Sequence, residues 1–384
     1  MARRYLQTLL HRLSLRQKIG LILLLILLYE EYYYSKLYLE YRKFYVGTYH
    51  RNIVIDRESY GKQDVHLIVI EANYEYTSEY VLPQATLKCY TAYHNYTLVN
   101  INLVKDVQYA NKCPGNDFMF RRHCVLAQYM AEHPTVPWIL ALDADMGVIN
   151  PNRLVEEYLK TKNDIVFYDR LFNYEIMAGS FILKNNAFSR GFLMDWYSYD
   201  NKVPNSYHGT DNGAIHKVLL DKFAPESLNN EAKLCMQIWN SSKDYEDLFT
   251  FESCVRQILG NRKAFKNNEG SVEIRSNLRE YWTRDGWQTD NMWSDNDFLL
   301  HGWQEKRRYR IHYWAWWVSP FAREDGFQNC GDKSKNAGQN WIYKKYTYRP
   351  VEEIQERLLN VAEESYLGYL KRLEKITELR KHLS

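Results

Sequence analysis

Hydrophobic residues in this chain fall into short unbroken runs separated by stretches of helical spacing. Val65 to Glu71 and Trp138 to Leu142 are too short for lone helices, and Pro137 and Pro151 bracket the second, so both read as buried strands. Tyr80 to Tyr93 reads as a helix, and Thr97 to Val104 as a strand carrying Leu98, Val99, Ile101 and Leu103. Phe118 to Glu132 is helical, with Leu126 and Met130 four residues apart on one face and His133-Pro134 as its stop. Next come a short helix from Pro151 to Lys160, strands over Asp164 to Tyr168 and Ala178 to Leu183, a helix opened by Asn185 and Asn186 through Trp196, and a helix starting near Asp211. Strands alternating with helices predict an α/β fold, a mostly parallel central sheet flanked by helices. Beyond residue 225 the period weakens, and Tyr281 to Tyr346 is rich in aromatic residues. After Pro350 a proline-free stretch to Leu383 places Val351, Ile354, Leu358, Val361, Leu370, Leu373, Ile376 and Leu379 at helical spacing on a charged background. That C-terminal helical segment, residues 350–384, either packs on the body or pairs with a second copy as a homodimer.

The amino terminus changes the picture. Residues 1–18 hold Arg3, Arg4, Arg12, Arg16 and Lys18 and no acid, and Ile19 to Tyr29 is apolar apart from Gly20. As a helix that run covers roughly 16 Å, about half a bilayer core, and Lys18 and the Tyr32-Tyr33-Tyr34 cluster can extend it at the interfaces. Positive charge before it and Glu30 and Glu31 after it predict a signal anchor over residues 19–34. Residues 1–18 then form a cytosolic tail, and the body is luminal, as in a single-pass type II protein of the Golgi or endoplasmic reticulum membrane. A cleaved signal peptide and an amphipathic surface helix are the alternatives; Tyr29-Glu30-Glu31-Tyr32 offers no small-residue cleavage site. Residues 35–63 read as a stem and residues 64–349 as the catalytic body.

Composition narrows the function. A net charge of +3 with Lys and Arg dispersed carries no footprint of nucleic-acid binding. Cys89, Cys113, Cys124, Cys235, Cys254 and Cys330 permit three disulfides in any of 15 pairings, and none shows the Cys-x-x-Cys spacing of a zinc site. Asn95-Tyr96-Thr97 and Asn240-Ser241-Ser242 fit the glycosylation pattern of a secretory-pathway protein.

The candidate chemistry lies at the end of the Trp138 to Leu142 strand, in Asp143-Ala144-Asp145. Ligands of open α/β sheets bind at the carboxyl ends of strands. Two carboxylates there can share Mn2+ or Mg2+, whose other positions take phosphate oxygens and water. The plain alternative is a surface turn with two solvated acids. An aspartyl-phosphate hydrolase also places Asp-x-Asp at a strand end, but Gly147 stands where that motif has Thr or Val.

The stretch Arg122-His123-Cys124-Val125-Leu126-Ala127-Gln128-Tyr129-Met130-Ala131-Glu132-His133-Pro134, followed by Trp138 and Leu142-Asp143-Ala144-Asp145, resembles the galactosyl/mannosyltransferase family of type-A glycosyltransferases. The chain as a whole resembles still more an uncharacterised nematode family related to them. The resemblance implies a nucleotide-diphospho-sugar transferase fold and a UDP- or GDP-sugar donor held through Mn2+. Asp143 would contact the ribose or the metal, and Asp145 would ligate the metal. Arg122 falls where the family has a donor-contacting Lys, and Gly179 fits close backbone approach to a substrate, although a tight strand start would need it too. Thr210-Asp211-Asn212-Gly213-Ala214 resembles the family's acidic-Asp-Gln pair near the transferred sugar, with Asp211 and Asn212 as candidate catalytic residues; Thr210 or Asp211 also suits an ordinary helix cap. The third metal ligand of such enzymes is commonly a late His near a Gly, which matches His301 better than His312 or His208.

The implied reaction is transfer of a hexose or pentose to a hydroxyl of a glycan or glycoconjugate, with retention. Trp and Tyr of the aromatic segment could offer faces to acceptor sugars or fill the core. The rival reading is a membrane-tethered glycan-binding or scaffold protein that keeps the fold without transfer.

Overall fold

The computed structural model describes residues 63–72, 75–260, 263–276, 280–310, 314–330 and 340–383, with scattered positions elsewhere. Two compact units are present, residues 1–49 with 344–346 and residues 50–343 with 347–384. In the first, Ser14 and Gln17 form a reciprocal cap: the Ser14 N–H donates to Gln17 Oε1 (2.9 Å) and the Gln17 N–H to Ser14 Oγ (3.4 Å). The expected anchor lies outside the described residues except for Gly20, Leu28 and Tyr29, as do the basic tail apart from Ser14 and Gln17 and most of the stem. Among the described residues no helix is long and apolar enough to cross a membrane.

The second unit is built on strands β1 (Val65–Glu71), β2 (Thr97–Asn102), β3 (Trp138–Leu142), β4 (Gly147–Val148), β5 (Ile165–Tyr168), β6 (Ser180–Lys184), β7 (Ala264–Lys266), β8 (Ser271–Arg275), β9 (Thr283–Asp285) and β10 (Leu299–His301). Its helices are α1 (Val81–His94), α2 (Val107–Lys112), α3 (Phe118–Glu132), α4 (Ala187–Tyr197), α5 (Thr210–Phe223), α6 (Asn229–Ser241), α7 (Tyr245–Leu259) and α8 (Val351–Leu383). A seven-stranded sheet runs in the order β2-β1-β3-β6-β5-β8-β7, and β9, β10 and β4 form a smaller one.

The central sheet departs from the mostly parallel expectation at two strands. β1, β2, β3, β5 and β8 run one way, whereas β6 is antiparallel to both β3 and β5, and β7 to β8. The connections explain both reversals, because a parallel neighbour needs a crossover of a dozen or more residues and an antiparallel one needs only a turn. Between β5 and β6 the chain folds back on itself, with the Arg170 N–H donating to the Glu175 carbonyl at 2.7 Å. Asn267 and Gly270 close the β7–β8 hairpin at 3.0 Å.

One face of the sheet presents Ile68, Ile139, Ala141, Ile165, Phe167, Phe181 and Leu183 to the apolar sides of α3, α4, α5 and α7. The aromatic segment covers the other. Trp282 meets Tyr168 edge-on at 4.9 Å and donates its indole N–H to Ser180 Oγ at 2.8 Å; Trp282, Trp293, Trp303, Trp317 and Trp341 are all buried. Core filling is therefore what most of those indoles do. All six cysteines pair, as Cys89–Cys330, Cys113–Cys124 and Cys235–Cys254, the last joining α6 to α7. The C-terminal segment packs on the body. Ile354, Leu358 and Ile376 of α8 are fully buried, and Arg372 and Lys375 pair with Glu246 and Asp247 of α7.

Candidate functional site

β3 extends by one more sheet bond, the Asp143 N–H donating to the Gly179 carbonyl at 2.8 Å, so Asp143 stands at the carboxyl edge of the sheet. The chain then turns sharply, with the Met146 N–H bonded to the Asp143 carbonyl, and enters β4. There β4 pairs antiparallel with β10, Gly147 opposite Leu300, and the Trp303 N–H reaches the Asp145 carbonyl at 3.0 Å. A side chain at Gly147 would collide with the Trp303 ring, so glycine allows this close pairing. β9 runs parallel to β10 with Asp285 opposite His301.

Three segments far apart in sequence therefore converge. Ligating atoms of Asp143, Asp145 and His301 all lie within 4.8 Å of one another. His301 Nδ1 sits 2.8 Å from Asp285 Oδ1, which leaves Nε2 facing the acid pair, 3.3 Å from Asp145 Oδ1. Asp285 is fixed by Arg170 through bonds of 2.7 and 3.2 Å. Burial alone would lower the His301 pKa, but Asp145 and Asp285 raise it to about 10, so the imidazolium balances part of the acidic charge. Burial likewise opposes ionisation of Asp145, yet His301 and a 2.8 Å bond from the Gln304 side chain hold its carboxyl below the usual range. Two carboxylates plus an imidazole oriented by a carboxylate behind it fit a divalent cation.

Arg122 of α3 lies on the other flank. Asp117 caps this helix by accepting from the Met119 N–H at 2.9 Å, and one helical turn later Arg122 points to the sheet edge. Its guanidinium donates to Asp143, to the Ala178 carbonyl (3.2 Å) and to Asp211 Oδ2 through Nε (3.1 Å) and Nη2 (2.5 Å). A Cβ on Gly179 would strike the Asp143 carboxylate and the Met177 methyl, so the bare backbone there makes room for the acid.

Asp211 is fully buried behind Arg122, where it also meets His123 Nε2 at 2.9 Å. His123 stacks on Trp196 at 3.6 Å, and the Trp196 indole N–H donates to the Asp211 carbonyl at 3.0 Å. Burial pushes the His123 pKa down to about 4 against the pull of Asp211, so the ring is neutral and its Nε2–H donates. Burial works against the Asp211 charge too, but Arg122 and His123 keep its carboxyl below the ordinary range. The helix-cap alternative for Thr210 or Asp211 is not what forms: Gly209, at φ 69°, occupies the cap position of α5. Asn212 is half-buried in the first turn of α5.

Beside these residues opens a cleft of about 430 Å³, walled by Ile70 and Glu71 at the end of β1, by Tyr80, by Phe118 and Arg122 of α3, and by Asp143, Asp145, His301 and Gln304. Its volume is that of an ordinary ligand pocket. Asp211 does not line it. His208 is engaged elsewhere, accepting from the Thr210 N–H at 3.0 Å, and His312 lies outside the described residues. Sequence reading did not single out Asp285, Gln304, His123 or Trp196. Only His123 carried a local signal, its place beside Arg122.

No curated protein matches the chain. Among solved structures it is similar to the crystal structure of a glycosyltransferase involved in the glycosylation of the major capsid of PBCV-1, with a TM-score of 0.38 and 12% identity over 62% of this chain and 91% of that one. Residues 87–314, a span that holds Arg122, Asp143, Asp145, Asp211, Asp285, His301 and Gln304, match the family described as "Protein of unknown function, DUF273". That span is more than half of the 384 residues, and the chain belongs to the DUF273 family.

Proposed function

We propose that this protein is a metal-dependent glycosyltransferase that moves a hexose or pentose from a UDP- or GDP-sugar to a hydroxyl of a glycan or glycoconjugate. The observation that carries the proposal is the convergence of Asp143, Asp145 and His301 on one point beside the cleft. A divalent cation held by those residues, Mn2+ or Mg2+, would neutralise the diphosphate as it leaves. Arg122 lines the cleft and adds a fixed positive charge for the donor. Asp211, buried against Arg122 and His123, is a positioning residue that fixes the guanidinium, and Asn212 is the residue of that pair proposed to approach the sugar. Resemblance of the Arg122 to Asp145 stretch to the galactosyl/mannosyltransferases supports retention. The acceptor oxygen would bond to the anomeric carbon as the bond to diphosphate breaks, and the acceptor's proton would pass to the departing phosphate. Three disulfides and exposed Asn95 and Asn240 suit the oxidising lumen of the endoplasmic reticulum or Golgi, with the apolar run from Ile19 as a membrane anchor.

A donor-hydrolysis screen of UDP- and GDP-sugars with Mn2+ tests the reading. Asp145→Ala should abolish metal-dependent hydrolysis and transfer, and full activity in that variant would overturn the assignment. Calorimetry with Mn2+ and UDP or GDP separates it from the glycan-binding alternative, which requires no nucleotide.

A further inference from the structure

We propose that Trp314, backed by Trp287, Phe172 and Arg307, is the platform on which the acceptor glycan lies, one pyranose ring flat against the indole. The proposal rests on the glycosyl-transfer reading above and names the acceptor side of that site.

The platform is continuous with the metal-ligand cluster. Immediately after Asp285, which orients His301, the chain enters the short turn Gly286–Thr289, so Trp287 follows that carboxylate by two residues. Trp287 packs edge-on against Phe172 at 5.3 Å, and Trp314 meets both, at 5.8 and 6.2 Å. Arg170, which bonds Asp285, lies 4.8 Å over the Phe172 ring. Arg307 lies 5.6 Å over the Trp314 ring. The ion pairs that set His301 thus also set the rings.

Trp314 is nevertheless 58% exposed, whereas five other indoles of the same aromatic segment are no more than 2% exposed. A single exposed apolar residue is ordinary, so Trp314 is singled out by the rings packed behind it and their tie to Asp285 through Arg170. A pyranose suits such a surface: it offers a C–H face to the ring and keeps its hydroxyls at the rim in water. A nucleobase could stack as well, but none of Phe172, Trp287 and Trp314 lines the cleft that holds Arg122, Asp143 and Asp145. The ring platform therefore lies outside the cleft assigned to the donor and is tied to the metal-ligand cluster through Asp285 and Arg170.

The test compares the full chain with Trp314→Ala and Trp314→Phe on a printed array of glycans ending in galactose, glucose, mannose, xylose or N-acetylglucosamine. Calorimetry of Mn2+ with UDP and with GDP runs in parallel. Trp314→Ala should weaken every glycan the wild type binds by about tenfold or more, Trp314→Phe should restore most of that affinity, and nucleotide affinity should not move in either. Glycan binding unchanged in Trp314→Ala, or absent from the wild type while nucleotide binding persists, overturns the platform and leaves glycosyl transfer standing. Trp314-dependent glycan binding without any nucleotide binding keeps the platform and removes the transferase reading.

Discussion

Two neighbours on β9 anchor two buried charge clusters of opposite design. Arg284 and Asp297 are both fully buried, and each polar atom is engaged within the protein. The guanidinium donates to Asp297 at 2.6 and 3.0 Å, to Thr289 Oγ1 at 2.8 Å and to the Met292 carbonyl at 2.9 Å, while Asp297 also accepts from Tyr281 and from the Ser294 N–H. Asp285, one residue on and so on the other face of the strand, belongs to a cluster that is acid-rich, converges on a point and opens to a cleft. Burial of charge is common to the two. Surplus of one sign around a shared point, with a route to solvent, separates a site from a structural pair.

The sharpest way to break this comparison is to remove one member from each cluster. Asp145→Asn should lower Mn2+-dependent nucleotide affinity by at least about 100-fold while leaving the urea midpoint nearly unchanged. Arg284→Met should do the reverse, removing about 3–5 kcal/mol of stability because Asp297 is left buried without its cation, with nucleotide affinity of the folded fraction intact. Urea titration and calorimetry on both variants give the four values, and a neutral Arg284→Met would erase the distinction.

His123 gives a pH-dependent version of the same contrast. Its pKa is held down to about 4, below the unfolded value near 6.5, so the unfolded chain binds the proton first as pH falls. The neutral ring's contribution is complete above pH 6.5 and is lost on acidification toward pH 4, a swing of about 3 kcal/mol. In His123→Gln that share of the acid sensitivity should vanish, seen as a smaller drop in urea midpoint between pH 7 and 4.5. Parallel midpoints in the two proteins would remove His123 as the titrating group.

The smallest effect is expected from Asp285→Asn, which keeps the three ligands and alters only what orients His301. Mn2+ affinity, followed by calorimetry, should fall by about 10- to 100-fold. A loss as large as that of Asp145→Asn would move Asp285 among the ligands themselves.

Legibility of these features in the sequence follows the range of the forces involved. α3 spans the residues that periodicity and His133-Pro134 mark, and β3 ends at Leu142 as its apolar run does, since both signals are local. The reversed direction of β6 was not readable, because a strand's period is the same whichever way it runs. α6 and α7 went unassigned although Leu234, Cys235, Ile238 and Trp239 of the one and Leu248, Phe251, Val255, Ile258 and Leu259 of the other fall at helical spacing; the polar residues among them masked the period, and Cys235–Cys254 ties the two helices together. Strands of two or three residues such as β4, β9 and β10 have no period at all. His301 was legible through its Gly302 neighbour and a family pattern. Asp285 and Gln304 were not, since their roles exist only through strand pairing and a turn that bring them to His301 and Asp145.

The pairing of β4 with β10 also orders events in time. Gln304 reaches Asp145 across 159 positions, and contacts of such separation close late because the intervening chain must first give up its freedom. The acid pair itself needs no such contact, since its strand pairs with β1, which precedes it in the chain. A nascent chain not yet extended past Phe298 would show two adjacent carboxylates with no third ligand, no neighbour for β4 and no indole over Gly147. The convergence of Asp143, Asp145 and His301 is therefore open only to a chain already made past Gln304, with the acid pair waiting on its last neighbour.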